Sequence, residues 1–378
     1  MDQFAAEPRR RLRIVELGDH TYFKYSYPAE TELIWTGLRP PRDPSLSYTE
    51  FSPAVLLQLM RRIRRGEMDL LVCYPPLYAP WHPRSFLHAL RHYHMRFAKG
   101  LFMSCGTTLV RLLGRVPLAV VDMGDSFAIN RHNFFLLDRC TAYFKRELPT
   151  DHWKVFFKTA HRNLPTRALR RNERYRRRIA RLRPISSGVG DPQEFLGFAA
   201  AQPEKTADIF FAGEHRVSST IRSDGLAQIR ALARMGYTVD VPEGRIPRDE
   251  FYARCARAWL TWSPEGYGWD CYRHYEAPLC GSVPVINYPS IHRHAPLLEG
   301  VHCFHYGIEG DDLTRTIVRA LADKAKLAEM AAAARDHVLR HHSFRALCDH
   351  IIEICLGPRP GESGPVVTPQ NARAEAVG

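Results

Sequence analysis

The sequence predicts an α/β protein made of two doubly wound, Rossmann-like domains with a C-terminal helical cover. Short apolar runs alternate with stretches of helical spacing along most of the chain. The alternation breaks once, at an arginine-rich stretch followed by a Pro/Ser/Gly-rich segment, and then starts afresh. The chain has 378 residues, and at about 150 residues per domain it has room for two. Uninterrupted apolar runs suit parallel strands buried on both faces, and strand–helix alternation is the pattern of a doubly wound sheet.

In the first domain, RLRIVELG (11–18), DLLVCYPP (69–76) and PLAVVDMGDS (117–126) are the predicted strands. SPAVLLQLMRRIRRGE (52–67) and PRSFLHALRHYHMRFAKG (83–100) are predicted helices, with basic residues in the last turn where the helix dipole is negative. The stretch 162–184 carries ten arginines and one glutamate, and PISSGVGDPQEF (184–195) has the composition of a linker. Strand ADIFFAG (207–213) reopens the alternation, followed by a helix over 218–236 that Gly236 stops. Strand 237–243, a helix over 247–258 opened by Pro247, strand WLTWSPE (259–265), a helix beginning near Asp270, and strands 283–287 and 302–307 follow. Helices fill 311–357, with Asp311 and Ser343 placed as N-caps. The expected boundaries are therefore a first domain over 1–183, a linker over 184–206, a second domain with terminal helices over 207–357, and a disordered tail over 358–378.

Composition narrows the function. With 45% hydrophobic and 11% aromatic residues the chain can bury a core, which excludes a disordered protein. No apolar run approaches the roughly 20 residues of a membrane span. The N-terminus lacks the apolar segment of a signal peptide, so a cytoplasmic location is expected. Nine scattered cysteines without a CxxC pair indicate neither a zinc site nor a disulfide framework. The net charge of +13 favours anionic partners: a phosphorylated ligand, nucleic acid or an acidic membrane face. The basic stretch 162–183 is either a solvated helix face or a surface for such a polyanion.

Familiar motifs fail. GLFMSCGTT (100–108) spaces its glycines wrongly for a phosphate loop and lacks the lysine, and GVGDPQ (188–193) ends in Gln193 where a dinucleotide fingerprint needs glycine. HExxH and GxSxG are absent. No Asp-x-Asp stands at a strand end, so the usual acidic clamp for a metal–diphosphate is not indicated, and no metal ligand is assigned.

SPEGYGWDCYRHYEAPLCGSVPVI (263–286) is the informative stretch. Its turn Gly266-Tyr267-Gly268 follows a predicted strand, where ligands of doubly wound sheets bind and where glycine lets backbone approach them closely. On the expected helix Asp270, Arg273 and Glu276 share one face. Arg273 offers a planar fork for phosphate oxygens beside a helix N-terminus, and Glu276 could accept from the two hydroxyls of a ribose. Together these describe a nucleoside diphosphate site. The alternative is an amphipathic helix with local ion pairs worth a few tenths of a kcal/mol each.

This stretch resembles the C-terminal signature of exostosin-like glycosyltransferases and, through Glu276, Ala277, Gly281, Pro284 and Val285, the wider GT-B glycosyltransferases. Glu265 departs from the pattern, which often has arginine there. ADIFFAG resembles the strand that opens the donor domain, ending at Gly213, and the resemblance covers 207–300. It implies transfer of a sugar from a UDP- or GDP-linked donor to a hydroxyl of a glycan, a lipid-linked or another acceptor, with no cofactor and no metal. Arg273, Arg222 and the helix N-terminus would stabilise the leaving diphosphate, Glu276 would hold the ribose, and Gly266 to Gly268 would pack on the donor. The catalytic base belongs on the first domain, and Asp122 and Asp125, following a strand, are the candidates. Lys145 and Arg146 are candidates for binding an anionic acceptor. The alternatives are a nucleotide-sugar epimerase of the same fold and a basic nucleic-acid-binding protein.

Overall fold

The computed structural model describes residues 11–37, 39–76, 106–157, 172–201, 203–214 and 219–358. The first sheet has seven strands: β1 (Ile14–Gly18), β2 (Thr31–Trp35), β3 (Thr49–Glu50), β4 (Leu70–Cys73), β5 (Leu118–Asp122), β6 (Ala142–Lys145) and β7 (Leu182–Pro184). All are parallel, in the order β3-β2-β1-β4-β5-β6-β7. The three strands read from apolar runs, β1, β4 and β5, are its fully buried centre. The second sheet is parallel too, in the order β12-β11-β10-β8-β9, with β8 (Ala207–Phe210), β9 (Val239–Asp240), β10 (Ala258–Trp262), β11 (Val283–Asn287) and β12 (Phe304–Tyr306). Gly236 ends the preceding helical stretch at φ 90°, the left-handed conformation expected of a helix stop.

Two helical layers sandwich the first sheet. Helix Pro53–Arg64, capped by the Ser52 hydroxyl accepting from Val55 N, the 3-10 turn Leu109–Leu112, and helices Phe134–Arg139 and Glu173–Ala180 cover one face. The other face carries the short helix Tyr22–Ser26 and the last helix, Phe344–Leu356. The last helix buries Leu347, Cys348, Ile351 and Ile352 against Leu70, Val72, Ala119 and Phe144. Grouped with the second domain by sequence, it thus crosses back and packs on the first. The expected linker is also structured: Gln193–Ala200 is a helix whose Phe195 enters the second core beside Tyr252 and Ala207. Ser343 caps the last helix through Ala346 N as expected, whereas Asp311 occupies its N-cap position without a side-chain hydrogen bond. The expected helix 83–100, residues 162–171 of the basic stretch and the tail from 359 lie outside the described residues.

One core position is charged. Glu16, in the middle of β1, is fully buried and accepts hydrogen bonds from Phe23 N (3.1 Å), Lys24 N (2.7 Å) and the Tyr74 hydroxyl (2.6 Å). Burial outweighs these bonds and pushes its pKa up to about 7 from 4.5. A raised carboxyl pKa means the native state holds a proton that the unfolded chain releases. Stability is therefore full below the ordinary pKa and declines as pH rises towards 7, by about 3 kcal/mol at 1.36 kcal/mol per unit. Urea titrations of Glu16→Gln should show a shallower decline between pH 5 and 7 than the parent. Parallel pH profiles would refute the assignment.

Candidate functional site

The carboxyl ends of β8 and β10, neighbours in the second sheet, bring two arginines together. Arg273, the first residue of helix Arg273–Leu279, donates from Nη2 to Ala212 O (3.0 Å) and lies 5.2 Å over the Phe211 ring. Its Nε is buried and has no hydrogen-bond partner, and no carboxylate among the described residues lies within ion-pair distance. Arg222, in the first turn of helix Thr220–Leu232, donates from Nε to Glu265 O and from Nη1 to Glu214 O, both at 2.8 Å. Both side chains are buried. Burial first, then the positive charge of Arg273, pulls the pKa of Arg222 below its usual value. A second positive charge close by raises the cost of keeping a buried guanidinium charged, and an anion placed between the two would lower it.

The glycines serve these arginines. A Cβ on Gly213 would stand 2.6 Å from Arg273 Nη2, and one on Gly266 would stand 2.8 Å from Arg222 Nη2. At both positions the guanidinium group occupies the space a Cβ would take. Gly268 has a different neighbour: a Cβ there would lie 2.5 Å from Glu147 Oε1. Tyr267, between them, is 71% exposed.

The expected helix starts three residues late, at Arg273, because Trp269 and Asp270 give their backbone N–H groups to another chain segment. Glu147, two residues beyond β6 in the first domain, accepts Trp269 N at Oε2 and Asp270 N at Oε1, both at 2.9 Å. Asp270 consequently precedes the helix and does not share a face with Arg273 and Glu276. Its carboxylate is buried, accepting from Ser187 N (2.7 Å) and the Tyr275 hydroxyl. It ties the linker to the second domain and does not reach the arginine pair. Burial, then the charge of Asp270, pushes the Glu147 pKa up to about 7. Nothing in the local sequence singles out Glu147; in its stretch YFKREL only Lys145 and Arg146 stand out, as candidate acceptor-binding cations.

Glu276 lies within reach of the charge of Arg273. It is half-buried on the same helix; burial raises its pKa, opposed first by the charge of Arg273 and then by Arg248 and the Tyr252 hydroxyl. His274, between them, is buried, with Nδ1 2.7 Å from the Ser263 hydroxyl and Nε2 2.9 Å from Trp269 O. A carbonyl only accepts, so Nε2 carries the proton, and burial holds the ring neutral with its pKa pulled down to about 3. It pins the loop 263–269 to the helix.

On the first domain, Asp122 accepts from the Tyr143 hydroxyl (2.8 Å), Lys145 Nζ (3.1 Å) and Gly124 N (3.0 Å). Lys145 is thereby buried as the partner of Asp122, and Arg146 pairs with Asp125 and Glu147, so neither cation is held open for an acceptor. The Asp125 carboxylate is half exposed at the carboxyl end of its sheet. Glu147 and Leu148, just past β6, accept hydrogen bonds from Trp269, Asp270 and His292, past β10 and β11, so the carboxyl ends of the two sheets face each other, with Asp125 on one side and the arginine pair on the other.

This architecture is the GT-B fold. The chain superposes on a sucrose-phosphate synthase from Thermosynechococcus elongatus with a TM-score of 0.51 at 12% identity, covering 90% of this chain and 98% of that one. It superposes on a glycosyltransferase from Rickettsia africae with a TM-score of 0.50 at 10% identity, covering 92% of this chain and all of that one. No protein-family model matches the sequence, and neither does any curated protein.

Proposed function

We propose that the protein is a glycosyltransferase that moves a sugar from a nucleoside diphosphate to a hydroxyl acceptor. The observation that supports this reading most is the pair of buried arginines, Arg222 and Arg273, each within reach of the other's charge and the Nε of Arg273 unpartnered, at the strand ends where ligands of such sheets bind. As the bond from the anomeric carbon to the diphosphate breaks, charge builds on the departing phosphate oxygens. Guanidinium groups already in place stabilise that charge without reorganising. Glu276 would hold the ribose hydroxyls, with UDP or GDP as the carrier. Retention of Arg273 and Glu276 one helical turn apart favours the exostosin-like branch of the class.

For an inverting course, the acceptor oxygen bonds to the anomeric carbon and its proton passes to a base. Asp125 suits that role better than Asp122: it too pairs with a cation, Arg146, but its carboxylate is half exposed at the junction, whereas Asp122 is buried between Lys145 and Tyr143. Asp270 and Glu147 are positioning residues for the loop before Arg273. A nucleotide that binds only the native state at 100 times its dissociation constant stabilises it by about 2.7 kcal/mol. UDP or GDP should accordingly raise Tm in a thermal-shift assay, and silence from every nucleoside diphosphate would sink the proposal.

A further inference from the structure

We infer that the outer face of the first domain docks on an anionic lipid bilayer, independently of the sugar-transfer reading. Four elements build this face: helix Pro53–Arg64, the turn Leu109–Leu112, and helices Phe134–Arg139 and Glu173–Ala180, layered over one side of the first sheet. They are contiguous. Gly114 abuts Ile63, Arg139 Nη2 donates to Leu113 O, and Arg174 and Arg178 both reach Asp138 at 2.7 Å.

The charge of the molecule is concentrated here. Residues 53–65, 109–115, 131–139 and 173–181 contain thirteen arginines against two carboxylates, in a chain whose net charge is +13. Both carboxylates are already engaged, Asp138 by Arg174 and Arg178 and Glu173 by Arg177. Arg61, Arg64, Arg115, Arg131 and Arg176 are exposed and make no ion pair among the described residues. The described part of the basic stretch anticipated at 162–183, helix Glu173–Ala180, is thus one edge of a broader field that the fold assembles from four separate segments.

Two leucines decide the kind of polyanion. Leu57 and Leu112 stand 55% and 58% exposed within this field. Exposed leucines amid arginines match a membrane surface, where apolar side chains enter the headgroup region while cations meet anionic lipid. A single-stranded nucleic acid would instead look for exposed aromatic rings to stack on, and the aromatic residues of these four elements, Phe134, Phe135 and Tyr175, are all partly buried. Docking through this face leaves the carboxyl ends of the strands, and the arginine pair beyond them, uncovered.

The test is co-sedimentation of the full chain with vesicles of phosphatidylcholine alone or mixed with phosphatidylglycerol. Binding should require phosphatidylglycerol and weaken as salt rises. Each arginine near such a surface strengthens binding about fivefold, so Arg61→Glu/Arg64→Glu/Arg115→Glu should bind at least ~100-fold more weakly. Arg131→Glu/Arg176→Glu, on other elements, should also weaken binding, and guards against a folding defect in the first variant. Leu57→Ser/Leu112→Ser should lower binding while leaving its salt dependence unchanged. Equal binding to neutral vesicles, or undiminished binding by folded charge-reversal variants, would overturn the inference. So would single-stranded RNA binding more tightly than vesicles and depending on the same arginines. A nucleotide-induced Tm rise that persists in these variants keeps this outcome separate from the fate of the sugar-transfer reading.

Discussion

Arg273→Ala should lower kcat/KM for sugar transfer by about 10³ and abolish the Tm rise caused by UDP or GDP. A preorganised donor aimed at developing oxyanion charge is typically worth about 10²–10³ in rate, and Arg273 also binds the ground-state diphosphate. The free protein should be little affected. Removing the side chain forfeits the bond to Ala212 O and the Phe211 contact, but it relieves the repulsion on Arg222 and removes a buried unpartnered Nε. Arg273→Lys should give intermediate rates, since it keeps the charge and loses the fork. An alanine variant with parental turnover and an undiminished nucleotide response would show that the pair holds no phosphate.

Glu147→Ala should destabilise the protein by about 3–5 kcal/mol, because it strands the buried N–H groups of Trp269 and Asp270, each costing about 1–3 kcal/mol, and empties a packed site. Because those N–H groups belong to the loop before Arg273, KM for the donor should rise as well. The pH dependence has a defined sign. The native pKa of Glu147 lies above its ordinary value, at about 7, so its stabilising contribution is full under acidic conditions and shrinks as pH rises through 7. The loss on substitution should therefore be larger at pH 5 than at pH 8 in urea unfolding. A pH-independent difference would contradict the assignment of the raised pKa to Glu147.

Much of the fold was legible because its central strands are buried on both faces. IVELG, LLVC, LAVVD and VPVIN read as strands since few other environments accept such runs. β2, with the alternating TELIW, and β6, with AYFK ending in a lysine, were missed: a buried Lys145 is tolerable only because Asp122 stands beside it in register on β5. Arg273 and Glu276 could be singled out because they lie on one short segment with their glycine turn. The role of the glycines was not legible, because it depends on which side chain occupies the space a Cβ would take.

The chain's own pattern indicated two parallel sheets and singled out an arginine and a glutamate shortly after a strand end. Folding alone decided the rest: that Arg273 meets Ala212 across 61 residues of sequence, that Trp269 and Asp270 bind Glu147 across more than 120, that the last helix returns to the first sheet, and that four basic segments share one face. The reason is range. Periodicity reports the environment of a residue and its near neighbours, whereas a buried charge is explained only by the partner that tertiary packing brings to it.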